Sequence, residues 1–278
     1  MESDSVKVYV LKHLEGASLN LPPLYTYLMT GKTHFQSKSK MLGDDSDVNI
    51  SERNRYYSEL TGIYWIWKNR QHDVIGTCHY RRFFTSQPMS LLYRAKQWIY
   101  TKFGINRTHF GLIYTLNVQL YKNRILSTLE IENLLKRYDA ILPLPRKLKR
   151  TVEKHYVRCH DTNDLIILRN IIKERHPAFI TAFEEVLQSK RMYANNMFVL
   201  RKELFDEFMT WWFDILFEFE NQIDLKTKTG YQERILGFVA ERLLNVWFAH
   251  KQLKVAELPV IYFQKFKERE SCDLHSTK

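Results

Sequence analysis

Apolar and polar stretches alternate along the chain and divide it into short strands and longer helices. Val6–Leu11 (VKVYVL) reads as a buried strand. Residues 19–50 are loop-rich, with Pro22-Pro23, Gly31, Gly43 and the acidic-polar cluster Asp44-Asp45-Ser46-Asp47. Ser51 then offers an N-cap to a helix running to about Asn69, in which Leu60, Ile63, Tyr64 and Trp67 recur at helical spacing. Val74–Cys78 (VIGTC) reads as the next buried strand and runs directly into His79-Tyr80-Arg81-Arg82. Beyond Ser86 the pattern fits one or two amphipathic helices. Tyr138–Leu144 reads as a strand ended by Pro143 and Pro145, and Leu165–Glu174 and Ala178–Leu187 read as helices. Asn196–Leu200 is a strand. A long helix over about Lys202–Ile223 carries Phe205, Phe208, Trp212, Ile215 and Phe219 on one stripe; another over Tyr231–Lys251 carries Ile235, Val239, Leu243 and Trp247. Val255–Phe263 closes the pattern as a last strand. Strands separated by helices predict an α/β fold with a largely parallel sheet.

Composition narrows the class. The 278 residues are 45% hydrophobic and 14% aromatic, enough for a full core, which excludes a mostly disordered chain. Nine Gly and seven Pro are too few for a collagen-like or low-complexity chain. No stretch approaches the ~18 consecutive apolar residues of a bilayer span. The opening MESDSVKVYV lacks the basic-then-apolar order of a signal peptide, and Cys78, Cys159 and Cys272 form no CxxC, so a reducing, cytoplasmic setting is expected. The charge balance is 42 − 31 = +11, which favours an anionic partner. From Ser86 to Leu129 there is no Asp or Glu, while Arg94, Lys96, Lys102, Arg107, Lys122 and Arg124 alternate with aromatic residues. A second basic run, Arg146 to Arg150, follows soon after.

Several groupings carry candidate chemistry. His79-Tyr80-Arg81-Arg82 stands at the end of a buried strand, and open α/β sheets bind ligands beyond the carboxyl ends of their strands. Two adjacent arginines there can neutralise a diphosphate through paired hydrogen bonds; the plain alternative is a strand leaving the core with surface charges. Asp45-Ser46-Asp47-Val48-Asn49 imitates the start of a calcium loop, but the sixth and twelfth positions, which need Gly and Glu, hold Ile50 and Tyr56. It also imitates the D-x-D metal motif of nucleotide-sugar enzymes. That motif follows a hydrophobic strand, whereas Lys38-Ser39-Lys40 and Gly43 precede it here; a polar loop capping the Ser51 helix fits the same residues. His155 and His160 are five apart and ill-placed to share a helix face, so no metal site is assigned to them. A general-base role for His160, Asp161 or Asp164 stands beside a solvated connection. Asn195-Asn196 can bracket sugar hydroxyls with donors and acceptors, or form a turn. Glu241 sits among Phe238, Leu244 and Val246; a buried carboxylate must pair or serve chemistry, so it is either catalytic or half of a Glu–Arg pair. The Phe/Trp stripe of Lys202–Ile223 is core packing.

Taken in order, Asp45–Ser51 (DSDVNIS), Tyr57–Asn69 (YSELTGIYWIWKN), Ile75–Arg82 (IGTCHYRR), Asn196–Phe205 (NMFVLRKELF) and Gly237–Trp247 (GFVAERLLNVW) resemble the bacterial glycosyltransferase family catalogued as domain of unknown function 4422. The resemblance covers nearly all of residues 6–263, and the ELTG-x-YW-x-WKN … HYRR pair is specific. It implies one GT-A-like nucleotide-sugar-binding domain over 1–263, with a mostly parallel central sheet flanked by helices. A helical basic insertion at about 86–129 and a polar tail at 264–278 are added to it. It implies transfer of a sugar, galactose in pyranose or furanose form, from a UDP-sugar to a lipid-linked or saccharide acceptor. The setting implied is assembly of bacterial capsular polysaccharide, exopolysaccharide or lipopolysaccharide O-antigen. On this resemblance Lys12, Asp45, Asn49, Tyr80, Arg81, Arg82, Asn195 and Asn196 would line the donor site, and Glu241 or His160 would supply the base. In GT-A folds a helix followed by a strand delivers the D-x-D metal site. Here the strand delivers HYRR, so Arg81 and Arg82 are expected to replace some or all of the metal's charge. No standard D-x-D site is identified, no metal ligand is assigned, and dependence on manganese or magnesium stays open.

The segment from about Met89 to Arg124 is longer than the family pattern suggests. Enzymes of this kind act on lipid-linked acceptors at the inner face of the membrane. The basic, aromatic insertion is therefore expected to lie in an anionic headgroup layer, making the protein peripheral on the cytoplasmic face of the plasma membrane. A decorated helix pair packed on the domain is the alternative. Two other functions fit part of the pattern: a non-catalytic membrane-associated scaffold of the same pathway, and a basic binder of single-stranded nucleic acid. The latter lacks any RNP, KH, zinc-finger or helix-turn-helix signature, and the acidic cluster at 44–47 interrupts a continuous basic face, so no nucleic-acid partner is expected.

Overall fold

The computed structural model describes residues 5–13, 16, 18–35, 41–88, 91, 92, 95, 98, 99 and 112–264. Its strands are β1 (Val6–Lys12), β2 (Tyr25–Met29), β3 (Val74–His79), β4 (Arg82–Phe84), β5 (Leu112–Thr115), β6 (Ala140–Pro143), β7 (Arg146–Lys147), β8 (Arg191–Met192), β9 (Phe198–Arg201), β10 (Val255–Leu258) and β11 (Val260–Phe263). The α-helices are α1 (Asn54–Tyr57), α2 (Leu60–Asn69), α3 (Val118–Lys122), α4 (Thr128–Leu135), α5 (Val152–Val157), α6 (Thr162–Arg175), α7 (Ile180–Gln188), α8 (Lys202–Gln222) and α9 (Ile235–Lys251).

The main part of the sheet runs β2-β1-β3-β9-β6-β10 and is parallel except for β9, which is antiparallel to both neighbours. At the end of β3 the chain reverses into β4, which pairs antiparallel with β11, and β11 pairs in parallel with β5. The largely parallel sheet expected from the sequence is therefore present, and it curls at its β4-β11-β5 side.

Alternation along the strands divides the core in two. Tyr9, Leu11, Ile75, Ala140, Leu142, Phe198 and Leu200 face a helical layer whose centre is α8 and α9, packed through Phe208, Trp212, Leu243 and Trp247. Val8, Val10, Cys78, Ile141 and Val199 face the opposite side, against Phe83, Ile113, Ile131 and Leu135. The aromatic stripe on α8 is core, as its spacing predicts.

Four expectations change. The helix expected from Ser51 to Asn69 is broken: a 3-10 turn at Ser51–Arg53 leads into α1, and the chain kinks at Ser58, whose φ is 51°, before α2 begins. Asn54 causes the break to persist, because its Nδ2 donates to Ser58 O (2.7 Å) and Thr61 Oγ1 (2.9 Å). Ser51 does not cap a helix; its hydroxyl donates to the buried Asp44 carboxylate (2.6 Å). β2 lies inside the segment read as loop, recruited by β1 through pairing that local periodicity does not report. Val255–Phe263 is two strands rather than one, because Pro259 has no N–H to continue a ladder; β10 joins β6 while β11 joins β4. Arg94, Lys96, Lys102 and Arg107 of the basic insertion lie outside the described residues, whereas its far end holds β5 and α3.

Trp212 measures what the helical layer contributes. It is fully buried, stacks on Phe208 (4.6 Å, 24°) and donates its indole N–H to Ala240 O (3.2 Å). Trp212→Ala is expected to lower unfolding free energy by about 3–5 kcal/mol, read as a reduced urea midpoint; a loss below about 1 kcal/mol would contradict this packing.

Candidate functional site

Topology brings separate segments to one edge of the sheet. β3 ends at His79, and Tyr80 N–H donates to Leu11 O (3.0 Å), which anchors the reversal to the end of β1. Phe263 N–H donates to Arg81 O (2.9 Å), which anchors it to β11. Because β9 is antiparallel to β3, with Phe198 opposite Thr77, its lead-in Asn195-Asn196 arrives where β3 ends. Arg146, three residues beyond β6, comes to the same edge, as does the first half of α9 with Gly237, Glu241 and Arg242.

Arg82 lies at the middle of this cluster. Its guanidinium sits 5.3 Å from the ring centre of Tyr262, its in-register partner on β11. Burial lowers its pKa, Arg146 acts in the same sense, and Glu59 and Glu241 oppose it. Arg81 packs on Tyr80 (4.8 Å) and reaches Gln264 O (3.3 Å). Arg146 donates to Asn195 Oδ1 (3.1 Å), and Asn195 N–H donates to Glu241 Oε1 (2.8 Å). Asn196 Nδ2 donates to Glu59 Oε1 (2.9 Å), and the other Glu59 oxygen pairs with Arg234 (3.6 Å). Both asparagines have positive φ, 81° and 47°. Asn tolerates that region better than other side-chain-bearing residues, at a strain on the order of 1 kcal/mol each. The four contacts above and Thr77 Oγ1 donating to Asn196 O (3.2 Å) hold the turn.

Imidazoles surround the arginines. Burial drives the His79 pKa down to about 2, with Arg82, His13, Arg81 and Arg234 adding to the shift. His13, 5.8 Å from the His79 ring, is lowered by burial and then by Arg234 and Arg81. His155 accepts from Arg242 (3.5 Å) at Nδ1 and is lowered by burial and by that guanidinium. His160 Nδ1 lies 2.8 Å from Gln232 Oε1, while Gln232 Nε2 donates to Cys159 O (2.5 Å). The second contact orients the amide so that its oxygen faces the ring. That arrangement assigns the proton to Nδ1 and leaves Nε2 unprotonated. Burial keeps His160 neutral by lowering its pKa.

Among the described residues, His79 Nδ1, Arg81 Nε, Arg82 Nε, Arg242 Nε and Asn196 Oδ1 are buried without a hydrogen-bond partner. Such atoms are uncommon in a folded chain and each calls for a reason; here they share one neighbourhood that carries excess positive charge.

The residues expected to bind a donor thus separate. Tyr80, Arg81, Arg82, Asn195, Asn196 and Glu241 are brought together, and His160 lies within electrostatic reach of Glu241. Lys12 is buried at the end of β1, and its ammonium holds the following loop through Gly16 O (2.6 Å) and Ser18 Oγ (2.7 Å). Asp45 pairs with Lys32 (3.7 Å), and Asn49 Nδ2 holds its own turn through Asp47 O (3.0 Å). These two line a polar cavity of about 390 Å³ with Thr33, Glu52 and Arg53. Glu59, Arg146, His13 and Tyr262 were not singled out by sequence pattern, whereas Arg234 belongs with Glu241 and Arg242 to one helical grouping. Glu59 stands inside the ELTG motif and Arg146 heads a run noticed only for its charge.

The cluster does not suit a metal ion. Among the described residues no three or more His, Cys, Asp or Glu side chains gather to hold one. The charged groups gathered here are mainly guanidinium groups, which receive phosphate oxygens rather than cations.

The neutral imidazoles link the site to stability. The unfolded chain takes up a proton on His79 near pH 6.5, whereas the folded chain refuses it until about 2. Protonation therefore favours unfolding throughout that window, and folding stability is full above it and declines as pH falls. The melting temperature is expected to drop on acidification from about pH 6.5, less steeply in His79→Gln; a parallel decline in both proteins would contradict the assignment.

Residues 7–252 match the family described as a domain of unknown function, DUF4422. The apo structure of WbbM, a bifunctional glycosyltransferase, is similar over 94% of this chain, with a TM-score of 0.82 and 27% identity. The match covers 46% of the WbbM chain, so this chain spans about half the length of that relative. A search of curated proteins gives no match. The sheet order together with this likeness makes the fold a GT-A-like glycosyltransferase fold, and the chain belongs to the DUF4422 family.

Proposed function

We propose that this chain is a glycosyltransferase that takes its sugar from a nucleoside diphosphate donor, with Arg81 and Arg82 binding the diphosphate. The observation that carries the proposal is the gathering of partly buried guanidinium groups, with unpartnered Nε–H donors, at the carboxyl edge of a GT-A-like sheet. A departing nucleoside diphosphate develops negative charge, and fixed cations in a sheltered site stabilise that charge more than water does. Arg146 adds a third cation beside Arg82. Asn196, whose Oδ1 is buried without a partner among the described residues, and Asn195 form the turn beside the cluster, where the sugar of the donor would lie. His160, neutral with Nε2 unprotonated, is the better base for the acceptor hydroxyl. Glu241 has both oxygens engaged, one by Asn195 N–H and the other by Arg242 (3.3 Å), and acts by positioning the Asn195-Asn196 turn. Family likeness favours UDP-galactose, pyranose or furanose, as the donor and a lipid-linked or saccharide acceptor of a surface polysaccharide.

Thermal shift with UDP and a transfer assay with UDP-galactose test these roles together. UDP is expected to raise the melting temperature of the wild type. Arg82→Lys is expected to lose that shift and about 10²–10³-fold in turnover, since a point charge does not replace a planar fork. His160→Gln is expected to keep UDP binding and lose transfer. Activity abolished by EDTA and restored by manganese would overturn the guanidinium assignment.

The acceptor side of the proposal places the protein on an anionic membrane surface through the basic insertion. No helix among the described residues is long and apolar enough to cross a membrane. Leu91, Leu92, Leu116 and Leu120, at described positions in that region, are exposed. They supply apolar contacts that a headgroup layer would cover. Neutralising Arg94, Lys96, Lys102 and Arg107 together is expected to weaken binding to phosphatidylserine liposomes roughly a thousand-fold, at about 1 kcal/mol per charge. Unchanged sedimentation with the liposomes would end the membrane assignment.

A further inference from the structure

A cavity of about 710 Å³ opens between α2, α8 and the end of α9, away from the arginine cluster. Lys251, which lines it, lies ten residues past Glu241 on α9, about 15 Å along the helix axis. Its walls are aromatic. On one side Trp67 lies parallel to Phe213 (8°, 5.7 Å), and Tyr64 meets both of them and Phe217 edge-on. On the other, Phe179 stacks on Trp211 (4.7 Å, 27°).

The rim sets the ligand class. Lys251 pairs with Glu207, and Asp214 is held by Arg175 and by His176 Nε2 (2.8 Å), so the rim's anions are each matched by a cation or imidazole and only Lys68 adds charge. The exposed Thr210 adds a hydroxyl. Paired charges of this kind hold no cluster of free cations for phosphate, unlike the arginine cluster. Rings alone would suit a hydrocarbon, but a hydrocarbon would leave the charged rim poorly solvated. A neutral polyol with apolar C–H faces meets both demands: its faces pack on rings, and its hydroxyls donate to carboxylates and accept from ammonium groups. The Trp211 and Trp247 rings line the cavity with their faces and edges, while their indole N–H groups are buried away from solvent. Lys68 covers Trp67 with its ammonium 3.3 Å from the ring centre. An exposed pair of this kind is weak, and the flexible lysine stem can swing aside for a sugar.

We propose that this cavity is a second saccharide site, which holds a short neutral glycan segment while the donor occupies the arginine cluster. The inference rests on the glycosyltransferase reading only for the presence of a glycan. A glycan held there raises its effective concentration near the reaction edge without forming part of that edge.

The test uses the full chain with lactose and maltotriose as probes, read by tryptophan fluorescence and calorimetry, and with UDP as a separate ligand. Saturable binding of a probe at millimolar concentration is expected. Thr210→Trp, which places an indole in the cavity from an exposed rim position, is expected to weaken it by at least about ten-fold with UDP affinity unchanged. Trp67→Ala should weaken it as well. Arg82→Ala is expected to do the reverse, losing UDP and keeping the saccharide. Saccharide binding unaltered by Thr210→Trp, or no binding of either probe, overturns the proposal. So does a change of oligomeric state in Thr210→Trp without saccharide binding, which would assign the cavity to a second copy. Failure of UDP binding alone would count against the donor site and leave the saccharide result standing.

Discussion

Gathering like charges under partial cover is the constraint around which this molecule is arranged. Arg81, Arg82, Arg146, Arg234 and Arg242 share a neighbourhood with two carboxylates, Glu59 and Glu241. Two unit charges about 4 Å apart interact by roughly 4 kcal/mol at the effective dielectric near a protein surface, so such a group needs both neutralisation and rigid spacing. The same two carboxylates supply both. Glu59 pairs with Arg234 and accepts from Asn196; Glu241 pairs with Arg242 and accepts from Asn195. The neutral state of His79 follows from the same constraint, because burial and the charges of Arg82 and Arg81 both disfavour a further positive charge there. What remains uncompensated is positive, and it lies at the edge to which the proposed function assigns an anionic donor.

That arrangement depends on one reversed strand. If β9 ran parallel to β3, Asn195-Asn196 would lie at the amino edge of the sheet, far from His79. Running antiparallel, it delivers the turn to the carboxyl edge and sends the chain into α8 at the other end. Pro259 has a comparable effect. By ending β10 it lets β11 cross to β4, and Tyr262 then falls opposite Arg82. Neither device adds much stability of its own, since β9 and β11 are four residues each. Stability comes from the two apolar layers, which let the site carry unpartnered atoms and a strained Asn pair.

How far the sequence could be read follows from these facts. Buried strands with continuous apolar runs, such as β1 and β3, and the stripes on α8 and α9 announce themselves because their neighbours in sequence share one environment. β2 does not, since Tyr25–Met29 becomes a strand only through its pairing with β1. HYRR was legible as the end of β3, but the reversal at Tyr80-Arg81 into β4 was not, because β4 is a strand only through its pairing with β11. Arg146, Glu59 and Tyr262 reach the same place from three distant segments, and nothing within a window of neighbouring residues reports that. Lys12 ends a buried strand, and the contacts of its ammonium with Gly16 O and Ser18 Oγ are to a loop whose conformation local sequence does not report. Asp44 and Asp45 divide in role. The neighbour that looked unremarkable is the buried one, tying Gly31, Lys32 and Ser51 together.

The net charge of +11 is not one property but several acting at different depths. In salt of physiological strength exposed charges act over about 8 Å, while partly buried ones are screened much less. The arginine cluster is therefore where charge can discriminate: on the proposed function a diphosphate would meet fixed guanidinium groups in a sheltered setting, where both the number and the direction of its oxygens matter. Charges spread along an exposed basic segment act singly and weakly, so they set where a protein resides rather than what it recognises. The aromatic cavity between α2 and α8 lies outside both regimes because its rim charges are largely paired, and shape and hydroxyl chemistry decide what it holds. A single basic chain can thus bring an anionic donor and a neutral glycan to one fold without the positive surplus that grips the first having to repel or mis-sort the second.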